Sequence, residues 1–430
     1  MPPTLADVLP HISIFLEPNP SYLTLASSCK IFHTITPLLP LPPAFLLQKH
    51  LLHPSVDNVD DALHRLPLLA TGTYSTVRLL SHPLFQRTQL AVKLLPKRLQ
   101  VRLENVQRLR REVLLLRTLA VAKSTKSTKS TKSTATFSTQ PLHLHPFITH
   151  IATIHSDAHL AVVTDLSVGG ELFTHLHHKN QQTSCTLNVT KFYVTQLILA
   201  LEHLHMVFPH AAVLHRDLRQ ENILVSESSY LKLCDFGNAR MLKKGARAKT
   251  MCGVPESTAP EMFIPNGRGA TSHGPAVDWW ALGILCYELN VGCSPFYSDN
   301  PMDIYARILA SPGTLNYPDG DGSDETTEKQ WNLARQFTLL LLARDETQRL
   351  GPRDGRPAEL TAGNHAWFDG TDWNRLAMQT QEPPRGSFFP SHDLRRNFEL
   401  IAFDPEEEDP PAPLRSANAK MIWKRWAGTL

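Results

Sequence analysis

His215-Arg216-Asp217-Leu218-Arg219-Gln220-Glu221-Asn222 is the stretch on which the reading of this chain turns. Cys234-Asp235-Phe236-Gly237 follows, with Asp235 thirteen residues past Asn222, and Ala259-Pro260-Glu261 comes next. A lone Asp-Phe-Gly recurs by chance, whereas three blocks in this order and at this spacing carry weight together. Around them lie 430 residues, room for a two-lobed unit and a modest extension if a domain takes roughly 100–200 residues. With 42% hydrophobic and 19% charged residues the composition is that of an ordinary globular chain. The net charge of +3 is too small to argue for nucleic acid or a membrane surface as a partner. Cys29, Cys185, Cys234, Cys252, Cys286 and Cys293 show neither metal-ligand nor disulfide-framework spacing, which fits a reducing compartment. Apolar runs such as Phe337-Thr338-Leu339-Leu340-Leu341-Leu342-Ala343 stop well short of the ~18 residues a membrane span needs. Met1-Pro2-Pro3-Thr4 holds no basic leader, and proline stands where myristoylation needs glycine, so the expectation is an intracellular chain, cytoplasmic and/or nuclear.

Residues 1–60 are rich in Leu, Pro and His, with apolar residues at helical spacing over 5–12 and 23–35 and Pro18-Asn19-Pro20-Ser21 as a stop and restart. The second of these pieces is similar to the latter half of an F-box, which docks on an adaptor of ubiquitin ligases. Two readings stand for it, a passive helical extension and an adaptor dock. Leu69-Ala70-Thr71-Gly72-Thr73-Tyr74-Ser75-Thr76-Val77 reads as a strand and turn, and Ala91-Val92-Lys93-Leu94 as a strand. Arg111-Glu112-Val113 sits on an amphipathic helix with Leu109, Val113 and Leu116 on one face. Lys123-Ser124-Thr125 then repeats four times through Thr134, a low-complexity insert that cannot bury a core, so 123–140 reads as a disordered loop. Residues 160–166 read as a strand, and 191–205 as a helix apolar around most of its circumference. His175, His177 and His178 lack matching ligands elsewhere and read as surface side chains.

From about 66 to 368 the sequence resembles a eukaryotic protein kinase, and within that superfamily the AGC group and the catalytic subunit of cyclic-AMP-dependent protein kinase. The narrower likeness rests on Ala276-Val277-Asp278-Trp279-Trp280-Ala281-Leu282-Gly283-Ile284-Leu285, Pro295-Phe296-Tyr297, His365-Ala366-Trp367-Phe368 and Thr250-Met251-Cys252-Gly253, and on the nineteen residues from Lys93 to Glu112. It implies an α+β, bilobal protein-kinase fold: a small β-rich N-lobe, a larger helical C-lobe, and an AGC-type C-terminal tail over 369–430. In that tail Phe403-Asp404-Pro405-Glu406-Glu407-Glu408 would pass near the nucleotide, and Trp423-Lys424-Arg425-Trp426 stands where the group carries an aromatic plug for the small lobe. ATP and Mg2+ are the implied cofactors. Phosphoryl transfer asks the protein chiefly for positioning and charge neutralisation. Asp217 would accept the substrate hydroxyl proton, Arg219 would approach the transferred phosphate, and Lys93 and Glu112 would pair to orient the ATP phosphates. Asn222 and Asp235 would hold the metal. Leu69, Ala70, Gly72, Val77, Ala91, Thr164, Asp165, Ser167 and Glu171 would line the nucleotide, with Asp165 to Ser167 as the hinge. Thr250 would be the activation phosphosite, contacted by Arg108, Arg216 and Arg240 and modified by an upstream kinase. Glu171, Glu221 and Glu288 would receive basic residues ahead of the acceptor Ser or Thr. Arg349 is the expected partner of Glu261.

The departures from the family cluster at the active site. Ala70 and Ser75 replace two glycines of the loop over the phosphates, and Arg219 replaces a lysine, a swap that changes reach and geometry. Val254 replaces a threonine whose hydroxyl braces the catalytic aspartate, and Ser257 replaces a tyrosine. Because Lys93, Glu112, Asp217, Asn222 and Asp235 are all retained, the expected activity is that of a serine/threonine kinase acting on protein substrates with basic residues before the acceptor. A catalytically weak pseudokinase scaffold and an F-box ubiquitin-ligase adaptor are the alternatives, and a regulatory subunit is a partner the family alone suggests.

Overall fold

The computed structural model describes residues 59–72, 74–81, 89–125, 146–177, 184–265, 271–310, 315, 317, 325–351, 361–391, 397, 398 and 423, with backbone alone at 121–125. The F-box-like stretch, most of the Lys-Ser-Thr repeat, His178, the acidic run 403–408 and Trp426 fall outside that set. The chain divides into two compact units, one of Met1–Pro141, Ile148–Leu166 and Phe398–Leu430, the other of Leu142–Phe147 and Ser167–Asn397.

The first unit is built on β1 (Leu68–Gly72), β2 (Ser75–Ser81), β3 (Gln89–Pro96), β4 (His150–His155) and β5 (His159–Asp165), an antiparallel sheet in the order β1-β2-β3-β5-β4. Alternation along β3 decides which side chains reach the core. Leu90, Val92 and Leu94 turn to one face and pack with Leu80, Ala161, Val163 and Ile154, while Ala91 and Lys93 turn to the other. A six-residue helix before the sheet, α1 (Val59–His64), puts Leu63 into that core. It is pinned through Asp60, which accepts from the Ala158 N–H at 3.1 Å and faces His159 Nδ1 at 2.7 Å, and the fully buried Arg78 donates to the His64 and Leu66 carbonyls. Against the other face lie α2 (Lys97–Arg102) and α3 (Val106–Thr125). Val106, Leu109 and Val113 of α3 form a second cluster with Leu95, Leu160, Val162 and the tail residue Trp423. The helical backbone continues to Thr125, so the first Lys-Ser-Thr unit is helix rather than loop. Helix periodicity outlasts the point where composition turns polar, because backbone hydrogen bonds propagate cheaply from a nucleated helix.

The second unit is mainly helical. After the short α4 (Leu172–Leu176), α5 (Leu187–Met206) is buried on nearly every side, as its apolar sequence requires, and Thr186 caps it. Two hairpin-like pairs follow, β6 (Ala211–Leu214) with β9 (Arg240–Lys243) and β7 (Ile223–Val225) with β8 (Leu231–Leu233). The central helix α6 (Ala276–Val291) buries Trp279 and Trp280 completely. Next come α7 (Pro301–Leu309) and α8 (Glu325–Leu341). Gly283 lets α6 and α8 meet, since a Cβ there would lie 2.9 Å from Leu341 and Leu342 side-chain atoms. Arg349, wholly buried, forks onto Glu261 at 2.6 and 3.0 Å, donates to the Ala276 carbonyl and lies 5.1 Å from the Trp280 ring. The expected Arg349–Glu261 pair is thus formed. Among the described residues no helix is long and apolar enough to cross a membrane.

Candidate active site

Within the first unit, several of the expected site residues share one face of the sheet. Residues directly opposite in an antiparallel pair share a face, and the register sets Ala70 against Val77, Val77 against Lys93, and Ala91 against Thr164. Ala70, Val77, Ala91, Lys93 and Thr164 therefore stand together on the face away from Val92 and Leu94. Leu69 sits at an irregularity in the β1–β2 register and is buried, Gly72 ends β1, and Asp165 ends β5 with its carboxylate accepting from the Thr149 N–H. Helix α3 brings Glu112 over this face, and Lys93 Nζ lies 3.1 Å from Glu112 Oε1. Glu112 is buried, so the pair is better shielded from salt than a surface pair.

Within the second unit, the expected catalytic and metal-holding residues lie on loops. Because Ile223 pairs with Leu233, the residues flanking the hairpin's open end, Asn222 and Cys234-Asp235, are held across from one another, and the Cys234 N–H donates to the Asn222 carbonyl at 3.0 Å. Asn222 Nδ2 donates to the Asp217 carbonyl at 2.8 Å, which leaves its amide oxygen as the atom that can accept or ligate. Asp235 adopts φ +52°, and its Oδ1 accepts from the Gly237 N–H. An amide oxygen and a carboxylate side by side are the hard donors that magnesium takes. Asp217 holds one oxygen, Oδ2, on Asn238 Nδ2 at 3.0 Å, and its other oxygen, Oδ1, is buried without a hydrogen-bond partner among the described residues.

The loop's backbone is set from beneath. Arg216 adopts φ +63°, a costly conformation for a non-glycine residue. Asp278 on α6 holds it there, accepting the N–H groups of His215 at 2.9 Å and Arg216 at 2.7 Å. His205 Nε2 adds a third contact at 2.8 Å, and Trp279 donating to His205 Nδ1 fixes Nε2 as the protonated nitrogen. Burial would raise the Asp278 pKa, but the hydrogen bonds from His205 and the Arg216 backbone hold it below the ordinary value.

Arg216 Nη1 donates to the Thr250 hydroxyl at 3.0 Å, and its Nε donates to the Asn238 carbonyl. Arg240 opens β9 as an exposed side chain, and Arg108 belongs to α3 of the first unit. The buried His273 lies 3.4 Å from Arg216 Nη1, and burial, then the charge of Arg216, push its pKa down to about 4. Of the three acidic residues expected to receive basic substrate side chains, Glu171 bridges to Leu224 ahead of α4, Glu221 is bonded by Arg219, and Glu288 on α6 is bonded by Gln220 at 2.7 Å. Ser167 is buried and begins the long segment of the second unit. His175 is no surface side chain: it bonds the Gly169 carbonyl and stacks on Phe388 at 5.0 Å, while His177 stacks on Phe173. Asn238, Gln220 and His273 have no place in the sequence expectation. Adjacency to Asp235-Phe236-Gly237 was the available signal for Asn238, and a place between Arg219 and Glu221 that for Gln220; nothing in one sequence marks His273.

A β-sheet unit bearing the Lys93–Glu112 pair and a helical unit bearing Asp217, Asn222 and Asp235 on its loops define a protein-kinase fold. The protein kinase domain matches residues 63–368, and the chain belongs to that family. It is AGC-like. It is 37% identical over 275 residues to a cAMP-dependent protein kinase catalytic subunit of Dictyostelium discoideum, covering 62% of this chain and 37% of that one. It is 35% identical over 271 residues to cAMP-dependent protein kinase catalytic subunit 3 of Drosophila melanogaster, covering 62% and 41%. The human cAMP-dependent protein kinase catalytic subunit PRKX is 33% identical over 270 residues, covering 63% and 68%. The chain thus spans only about two fifths of the length of the first two relatives.

Proposed function

We propose that this chain is a serine/threonine protein kinase that transfers the γ-phosphoryl group of ATP to Ser or Thr in proteins carrying basic residues ahead of the acceptor, and that phosphorylation of Thr250 by an upstream kinase raises its activity. The observation that carries the reading is Asp217, whose Oδ2 is held by Asn238 while its Oδ1 has no hydrogen-bond partner among the described residues, so that this oxygen keeps its capacity to accept a hydroxyl proton. Magnesium ATP supplies the transferable group. Asn222 and Asp235 would hold the metal, Lys93, steadied by Glu112, would orient the phosphates, and Asp217 Oδ1 would take the hydroxyl proton. The Thr250 part rests on Arg216: its guanidinium already reaches the hydroxyl, and a phosphate there would turn that contact into a charge-assisted bond.

The test is magnesium-ATP-dependent phosphorylation of a peptide library by the full chain, compared with Asp217→Asn, with Thr250 scored by mass spectrometry. The expected result is incorporation into Ser and Thr peptides that falls about 100-fold or more in the variant, as for loss of a general base. Equal silence of both proteins while Thr250 carries phosphate would refute the assignment.

A further inference from the structure

Arg219 has extended backbone, φ −160° and ψ 165°, at the head of the tight turn Gln220–Asn222. That turn brings the carboxylate of Glu221 back onto the guanidinium two residues earlier. Arg219 Nε donates to Glu221 Oε2 at 2.7 Å and Nη2 donates to Oε1, so both carboxylate oxygens are taken by one fork. The next residue does the same to the second carboxylate: the buried Gln220 donates through Nε2 to Glu288 Oε2 at 2.7 Å. Burial first, with the nearby charge of Glu221 adding to it, lifts the Glu288 pKa to about 7, so this group carries only part of a charge at neutral pH. Burial opposes ionisation of Glu221, but the bond from Arg219 outweighs it and holds its pKa below the ordinary value.

We propose that Arg219, seconded by Gln220, is an internal occupant of the Glu221–Glu288 subsite, so that a substrate arginine is selected there only by displacing it. The proposal rests on the kinase reading above and sharpens its basic-residue preference. A guanidinium arriving at an empty carboxylate gains a new bidentate bond, whereas one arriving here exchanges one arginine for another and gains little. The same pairing commits the Arg219 guanidinium to Glu221 until a substrate displaces it.

The pair is about one third exposed on each side, 30% for Arg219 and 33% for Glu221, and the alternative that the test has to exclude is a surface bridge of no consequence for selection. Binding distinguishes the two. Peptides with alanine at the acceptor position carry arginine or its neutral isostere citrulline at each of the four preceding positions in turn, and fluorescence anisotropy gives Kd for the full chain. In wild type the citrulline-to-arginine Kd ratio at the position served by Glu221 should stay within about twofold, and Glu221→Gln should not change it. Arg219→Met should raise that ratio to about tenfold at a single position, the value of one charged hydrogen-bonded contact, and Glu221→Gln added to it should restore twofold. Arg219→Lys, which cannot fork, should fall between and serves if the methionine variant does not fold. A wild-type ratio near tenfold that Glu221→Gln abolishes, or an unchanged ratio in both Arg219 variants, overturns the proposal. These measurements need no phosphoryl transfer, so a chain that fails the Asp217 comparison fails the kinase reading without deciding this one.

Discussion

Asp217 depends on a neighbour of the metal loop rather than on its own. Asn238 holds its Oδ2 through the side-chain amide and, through its backbone carbonyl, also receives Arg216 Nε, so one residue steadies both Asp217 and the arginine that reaches Thr250. Asn238→Ala should lower kcat about tenfold with little change in KM for peptide, since misplacing a reacting group costs rate more than binding; steady-state kinetics on the preferred peptide checks it. Glu288 offers a second test. Its folded pKa of about 7 lies above the ordinary 4.5, so between these values the folded chain keeps a proton that the unfolded chain has lost. Its contribution to stability is present in full below that window and is lost as pH rises through it. Glu288→Gln should therefore stabilise the chain at pH 8 by an amount on the order of 3 kcal/mol and scarcely at pH 4, as read from denaturation midpoints at the two values. Neither role was legible in the residues themselves. A carboxylate's burial and an asparagine's partner depend on chain segments far away, whereas Lys93 and Glu112 could be paired on paper because strand and helix patterns locate each of them.

Helix α6 is as much the foundation of the catalytic loop as of the core. In sequence Asp278 reads only as the start of a buried helix; in the fold its carboxylate accepts two backbone N–H groups of the loop and faces His205. Asp278→Ala should cost roughly 3–5 kcal/mol, the range for removing one partner from a buried charged cluster, and thermal unfolding with and without the substitution would measure it. Trp423 tests a different element. It is buried against Leu95, Val106, Leu109 and Val113, and Lys97 Nζ lies 5.4 Å from its ring. Because those residues include the helix that carries Glu112, Trp423→Ala should destabilise the first unit by about 3 kcal/mol or more and lower the kinase rate together with it, whereas a tail that merely rests on the surface would change neither. Elements with a strong apolar period, β3, β5, α5 and α6, could be read from sequence. Helix α1 could not, because its hold comes from Asp60 and from Arg78 on a strand, contacts that leave no periodic trace.

For the molecule as a whole, ligand binding and stability are one quantity. If Asn222 and Asp235 hold the metal of ATP, magnesium ATP at about 100 times its Kd should add about 2.7 kcal/mol of stability. Asp217→Asn should keep that gain, because under the proposed reading Asp217 would touch the acceptor and not the nucleotide, while Asn222→Ala and Asp235→Asn should lose most of it; differential scanning with and without magnesium ATP separates the three. The bilobal α+β architecture was legible only through the resemblance that the motif blocks carry, and the site was legible where its residues come in contiguous blocks. The left-handed Arg216 carries one further consequence. Its conformation is imposed by a carboxylate 62 residues further along, so the shape of the eight-residue loop is not stored within the loop. Transplanted to another scaffold by itself, residues 215–222 would relax to ordinary backbone and the grafted aspartate would point elsewhere; a designer who borrows this loop has to borrow the helix beneath it as well.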